Sequence, residues 1–386
     1  MKPTLAYLNV ATLAETDVTI LGYLTREFNV HWFVIYEPNK DSSLNIETIK
    51  KFAENNGIIL HVHTRTFRIR SLKNWAYYYH LYKAVLRIKP SLIYHCNTEP
   101  YWACFFLFDR KSKVIMGLHD VDPHSSRRGI GSNVKRMFNS FVRRIFPHHV
   151  VFSKNQKDLY EKMYGKEVEN LGMSCKDFGH PTVVTPDIRE GVKLLFFGTI
   201  SHYKGLDLLI KALESIISSG VSNIYLTIAG KGNDKEWNEF YLPLIKSKDH
   251  YNIQYRYLGS DEIPNLVAGH HFMILPYRDA TQSGPVLIAA NYCMPLIAPN
   301  YGCFADTFDK YSAILYPQGK LKQALLKVSK ITPSGYEAMK TSCKKVKENN
   351  SEEAVAESFI HYFKNNGSLK FEITAKRLYA ASQRVL

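Results

Sequence analysis

Short apolar runs rich in β-branched and aromatic residues alternate along the chain with longer stretches of helical period. In the first half, Thr4–Leu8, His31–Tyr36, Ile58–Val62, Leu92–His95, Val114–Leu118 and His149–Phe152 predict strands, each followed by a polar or helix-like stretch. This alternation predicts a parallel sheet with helices on its faces. In the second half Val192–Phe197, Ile224–Ile228, Phe272–Leu275, Leu296–Ala298 and Ala313–Tyr316 repeat the pattern. Leu206, Leu209, Ile210, Leu213 and Ile216 fall at helical spacing, and Gly220 is placed to end that helix. The run Tyr101–Phe108 has strand or buried-helix length, and residues 352–386 read as helical. Between the halves, HPTVVTPDIRE has two prolines and no helical period, which predicts a linker over 181–190.

A length of 386 residues exceeds one ordinary core and agrees with two domains. A 45% hydrophobic share, with 25 Tyr and 21 Phe, excludes a disordered chain. The six cysteines lie far apart, without C-x-x-C or Cys/His ligand spacing, so neither a disulfide framework nor a zinc site is suggested. The first residues lack a leader pattern and no apolar run reaches spanning length, so the expected compartment is the cytoplasm. Net charge is +15, and residues 51–150 hold 17 Lys+Arg against 5 Asp+Glu. An anionic partner is expected there: nucleic acid, a phosphorylated substrate or an anionic membrane.

Three segments carry chemistry. Phe196-Phe197-Gly198-Thr199-Ile200-Ser201-His202-Tyr203-Lys204-Gly205 runs from a strand through a glycine turn into a helix, and Lys204 adds a cation to the helix end. Leu275-Pro276-Tyr277-Arg278-Asp279-Ala280-Thr281-Gln282-Ser283-Gly284-Pro285-Val286 is again strand, polar loop and helix, with Thr281, Gln282 and Ser283 as donors and Asp279 as an acceptor for sugar hydroxyls. Read blandly, Ser283 is only an N-cap and Pro285 a first-turn proline. Ala229-Gly230-Lys231-Gly232 follows the strand Ile224–Ile228.

In this order the three segments resemble the nucleotide-sugar half of family 4 glycosyltransferases, over Val192–Gly319. The resemblance implies the GT-B fold, two Rossmann-like domains with parallel sheets facing a central cleft. It divides the chain into an acceptor-side domain 1–180, the linker 181–190, a nucleotide-sugar domain 191–365, and a helix 366–386 returning to the first domain. It also implies sugar transfer from a nucleotide diphosphate with retention of configuration. Met116-Gly117-Leu118-His119-Asp120 is similar to the family's strand and His-Asp pair, which gives His119 a place beside the donor sugar. Asp279 stands near the position of the family's first glutamate, and Lys204 remains the main cation. Gly198, Thr199, Lys204, Gly230, Gly232, Thr281, Gln282, Ser283 and Gly284 would hold the donor.

The chain also departs from the family. Ile288 falls where a second glutamate would meet the ribose, and Thr199 and Ser201 occupy the stretch where a basic residue is usual, a loss that Arg278 could offset unless solvated. Pro285 removes an amide hydrogen, and the first loop, Asn9–Asp17, has no glycine. Asp120-Val121-Asp122 has the D-x-D pattern of metal-dependent transferases, but its place inside the His-Asp segment favours GT-B, so no metal is expected.

The function implied is a metal-independent, retaining, hexosyltransferase-type enzyme of bacterial surface-polysaccharide assembly, building capsule, exopolysaccharide or O-antigen. A nucleotide-diphosphate sugar would be the donor substrate, with no other cofactor. The acceptor would be a glycan or lipid-linked glycan. Residues 64–89 mix Arg65, Arg68, Arg70, Lys73, Lys83, Arg87 and Lys89 with Trp75 and tyrosines, a composition suited to an anionic membrane surface. Peripheral attachment to the inner face of the plasma membrane follows, and no nucleic-acid reading module is seen. The alternative is a non-catalytic GT-B protein that binds nucleotide sugar or serves as a partner.

Overall fold

Alternate residues of the first strand, β1 (Thr4–Val10), enter different cores: Leu5 and Tyr7 pack on one face, Ala6 and Leu8 on the other. Burial on both faces is what a parallel sheet requires, and explains why its strands read as continuous apolar runs. The computed structural model describes residues 2–38, 44–68, 71–96, 100–109, 114–121 and 130–367. Within them the chain divides into two units, Met1–Ser174 with the chain from Glu352, and Cys175–Ser351.

The first unit adds β2 (Asn29–Tyr36), β3 (Ile59–Thr64), β4 (Leu92–His95), β5 (Val114–Leu118), β6 (His148–Val151) and β7 (Glu169–Asn170). The parallel sheet has the order β3-β2-β1-β4-β5-β6-β7. Its helices are α1 (Ala14–Leu24), α2 (Ile46–Asn55), α3 (Lys73–Arg87), α4 (Pro100–Asp109), α5 (Ile130–Ile145) and α6 (Lys154–Tyr164). The run Tyr101–Phe108 is thus helical. Ser153 caps α6 by accepting from the Gln156 amide at 3.4 Å, and Gly165 ends it in the left-handed region at φ 61°.

The second unit holds β8 (Val192–Phe197), β9 (Ile224–Ala229), β10 (Tyr251–Gln254), β11 (Phe272–Ile274), β12 (Leu296–Pro299) and β13 (Ala313–Tyr316), again all parallel, in the order β10-β9-β8-β11-β12-β13. Around them lie α7 (Leu206–Ile217), the single turn α8 (Asp234–Glu236), α9 (Ile263–Ala268), α10 (Gly284–Asn291), α11 (Cys303–Thr307), α12 (Leu321–Val328) and α13 (Pro333–Asn349). Leu194 and Phe196 face one core, and Leu195 the other. Both units are therefore Rossmann-like sheets, as the resemblance implies.

The crossings between units fall at 174/175 and 351/352 instead of at 181–190 and 365/366. They are adjacent: the Cys175 amide donates to the Asn350 carbonyl at 2.7 Å. The proline-rich stretch is a strap on the second unit. The Thr182 and Val183 amides donate to Asn265 Oδ1 at 2.7 and 3.3 Å, and His271 Nε2 meets the Pro186 carbonyl at 2.9 Å. Helix α14 (Glu352–Gly367) returns earlier than expected, burying Val355, Phe359 and Phe363 on the core face that also carries α1. Most of the terminal helix expected over 366–386 lies outside the described residues. All six cysteines are free thiols.

Candidate functional site

Three turns meet at the carboxyl edge of the second sheet. After β8 the chain turns at Gly198, whose φ of 111° disfavours any side chain. A Cβ there would lie 2.8 Å from Lys204 Nζ and 3.7 Å from Pro285 Cγ, so the first loop, its lysine and the start of α10 are neighbours. The loop after β9 docks on the same turn. The Gly198 amide donates to the Ala229 carbonyl at 3.0 Å and Ile200 to that of Lys231 at 2.9 Å, while a Cβ on Gly230 would strike the Gly198 carbonyl. A Cβ on Gly232 would likewise lie 2.7 Å from the Ile200 carbonyl oxygen. The glycines at 230 and 232 thus let two backbones approach, and Gly205 does the same against the Pro276 carbonyl.

Lys204 is 6% exposed and lies in the 3-10 turn His202–Lys204. Its ammonium stands 5.6 Å from the Tyr277 ring centroid and has no hydrogen-bond or ion-pair partner among the described residues. Burial lowers it to about 8, which leaves it mainly charged at neutral pH. Ser201 Oγ, beside it in sequence, is also buried without a hydrogen-bond partner among the described residues. A buried cation and an unused hydroxyl at a strand-to-helix turn are chemistry suited to an anion.

The second loop holds Asp279, Thr281, Gln282, Ser283 and Gly284 between β11 and α10. Thr281 is buried and Asp279 half-buried; burial first, and then the nearby Asp279, raises the Tyr301 phenol. Ser283 occupies the N-cap position without a side-chain capping bond, and its hydroxyl reaches Tyr277 Oη at 3.4 Å. Arg278 is committed within the protein. It donates to both Asp207 carboxylate oxygens at 2.8 and 2.7 Å and to the His202 carbonyl at 2.7 Å, bracing one loop against the other. Ile288, at 4% exposure, belongs to the core. Thr199 sits in the first turn and carries no charge.

Two supports escaped the sequence reading. Tyr301 Oη donates to the Tyr277 carbonyl, and a Cβ on Gly302, at φ 61°, would strike the Ala280 carbonyl. Together they clamp the second loop. Their signal was the Tyr-Gly pair after β12, a glycine following a strand end like those after β8 and β9.

His119 lies in the first unit, after β5. Its Nε2 is 3.3 Å from Cys96 Sγ and its ring is 4.6 Å from that of Phe152. With Tyr7, Tyr94 and Cys96 it lines a cavity of about 20 Å³, room for one water. Arg143 donates to the Asp120 carbonyl at 2.9 Å and to that of Val121, while the Val121 amide donates to Gln156 Oε1 at 2.7 Å. The backbone of the D-x-D stretch is thus fixed as far as Val121, and Asp122 lies outside the described residues. The glycine-free first loop forms the 3-10 turn Ala11–Leu13 and runs into α1. Asn9 Nδ2 ties the two together by donating to both Asp17 oxygens at 2.8 and 2.7 Å.

Arg65 departs from the sequence reading of 64–89. It is 2% exposed, pairs with Glu37 at 2.9 Å and donates to Tyr78 Oη at 2.5 Å, so it serves the core. Arg68, Lys73, Lys83, Arg87 and Lys89 are exposed, as are Leu72, Trp75 and Tyr79, while Arg70 lies outside the described residues. No described helix is long and apolar enough to cross a membrane.

Residues 191–330 match the family model described as Glycosyl transferases group 1. No curated protein matches the sequence significantly. Among solved structures, HepE of Anabaena, in complex with UDP and glucose, superposes with a TM-score of 0.66 at 12% identity, covering 94% of this chain and 100% of that one. Sucrose-phosphate synthase of Thermosynechococcus elongatus gives 0.66 at 11% identity over 98% and 100% of the two chains. WaaG, a glycosyltransferase involved in lipopolysaccharide biosynthesis, gives 0.62 at 12% identity over 92% and 98%. The chain has the fold of the GT-B glycosyltransferases, and its second domain matches their group 1.

Proposed function

We propose that this chain is a retaining glycosyltransferase, acting without a metal ion, that moves a sugar from a nucleotide diphosphate to a glycan or lipid-linked glycan in surface-polysaccharide assembly. The observation that carries the reading is the meeting of Gly198, the uncommitted ammonium of Lys204 and the start of α10 at one sheet edge. The chemical difficulty is negative charge on the departing diphosphate as the anomeric carbon becomes oxocarbenium-like. A fixed ammonium and backbone amides in a partly dehydrated site stabilise that charge without reorganising. Asp279 orients the donor sugar. The acceptor oxygen bonds to the anomeric carbon on the face from which the phosphate oxygen leaves, and the hydroxyl proton passes to that phosphate oxygen.

HepE binds UDP and glucose, and WaaG acts in lipopolysaccharide biosynthesis, which supports a nucleotide-sugar donor and a surface-glycan product here. The exposed basic and aromatic residues of α3 would hold the protein on the anionic inner face of the plasma membrane. The test is incubation of the full chain with UDP- and GDP-sugars and bacterial lipid extract, with the new linkage read by NMR. Retention of the donor's anomeric configuration is expected. Inversion would contradict the mechanism, and donor binding without turnover would favour the non-catalytic reading.

A further inference from the structure

We infer that Lys176 is the second cation of the donor-phosphate site, an inference that rests on the donor reading above. The first turn of α10 is poor in amides: Pro285 has none to give, and Val286 turns its own to the Ser283 carbonyl at 3.1 Å. The basic residue expected in the first loop is absent, and Arg278 is committed to Asp207. A diphosphate leaving group would therefore meet one cation, Lys204, and few amides unless another element supplied charge.

The strap after the first crossing does so. It is fastened along α10 and its end, where the Lys176 amide meets the Leu287 carbonyl at 3.5 Å, Asn291 donates to Asp177 at 3.1 Å and the Phe178 amide donates to Tyr292 Oη at 3.1 Å. Tyr292 Oη in turn donates to the Gly179 carbonyl at 2.9 Å. This fixed backbone carries the Lys176 side chain to the start of the helix, where a Cβ built on Gly284 would be 4.0 Å from its Nζ. Lys204 stands against Gly198, which also neighbours Pro285 at the same turn. Two ammonium groups carried by different segments thus flank the N-terminal turn of α10. Lys176 binds an anionic phosphate oxygen there, from a backbone already fixed along α10.

Calorimetric titration of the full chain with UDP, GDP, uridine and guanosine tests this. In Lys176→Met, and in Lys176→Gln as a second neutral variant, diphosphate affinity should fall about tenfold or more while nucleoside affinity is kept. Lys176→Arg should restore most of the loss. Unchanged diphosphate affinity in both neutral variants would overturn the inference and leave the donor reading intact. Equal weakening for nucleoside and diphosphate would overturn it too, by making Lys176 a structural residue. If the unaltered protein bound neither UDP nor GDP, the donor reading and this inference would fall together.

Discussion

Asp17 shows how much a neighbour changes a residue's meaning. In the sequence it only closes a glycine-free loop, but in the fold it is 1% exposed and accepts from Tyr7 Oη at 2.7 Å and from Asn9. Burial raises its carboxyl to about 7 despite those bonds, from an ordinary value of 3.8. Between these values the folded chain keeps a proton that the unfolded chain releases, so this group's contribution to stability falls as pH rises towards 7. His95 and His149, lowered to about 3 by burial, act with the opposite sign below pH ~6.5, so the pH dependence must be read against a variant. Urea unfolding of the protein and of Asp17→Asn at pH 5 and pH 8 should show wild type losing roughly 3 kcal/mol relative to the variant across that range. A constant difference would contradict the assignment. The same dependence on neighbours moved Arg65 and Arg278 from solvent into ion pairs. Sequence shows the charge of each, whereas Glu37 and Asp207 come beside them only in the fold.

At the scale of elements, the apolar runs located every long strand because a parallel sheet buries both faces. Two short strands were not legible. β7 has two residues, and β10, Tyr-Asn-Ile-Gln, is a half-exposed edge strand with no apolar run to mark it. The stretch HPTVVTPDIRE was read as a linker because prolines and a missing period mark irregular chain, yet they do not say what the chain lies on. Asn265 and His271, distant in sequence, supply the partners that make it a strap.

Helix α3 carries the membrane proposal. Leu72, just before it, is 84% exposed and Trp75 is 47% exposed, with the Trp75 ring set edge-on to Tyr101 at 5.2 Å. Lys73, Lys83 and Arg87 surround these apolar groups with positive charge. Vesicle flotation should recover the protein with phosphatidylglycerol vesicles and not with neutral phosphatidylcholine. A Leu72→Ser, Trp75→Ser double variant should lose most of that recovery. Equal recovery from both lipids would contradict the electrostatic part, and an unaffected variant the apolar part.

Over the whole molecule, the +15 net charge separates into two chemistries. The first domain spreads exposed cations over α3, while the second concentrates a few held ones at the carboxyl edge of its sheet. Fold class was legible because a two-sheet α/β chain writes itself as alternating runs. The loops that meet at the carboxyl edge of the second sheet were legible because glycines that permit close backbone approach recur after β8 and β9. The crossings were less so, since they depend on the pairing of Cys175 with Asn350, at opposite ends of the second unit.

The central claim is that Lys204 stabilises a departing diphosphate. The direct measurement is the single-turnover rate of sugar transfer from saturating donor by wild type, Lys204→Ala and Lys204→Arg, with folding checked by thermal melting. The alanine variant should be folded and slower by about 10²–10³-fold, the cost of removing one fixed stabilising group, with arginine recovering part of the rate. A folded Lys204→Ala variant that transfers sugar at the wild-type rate would contradict the account.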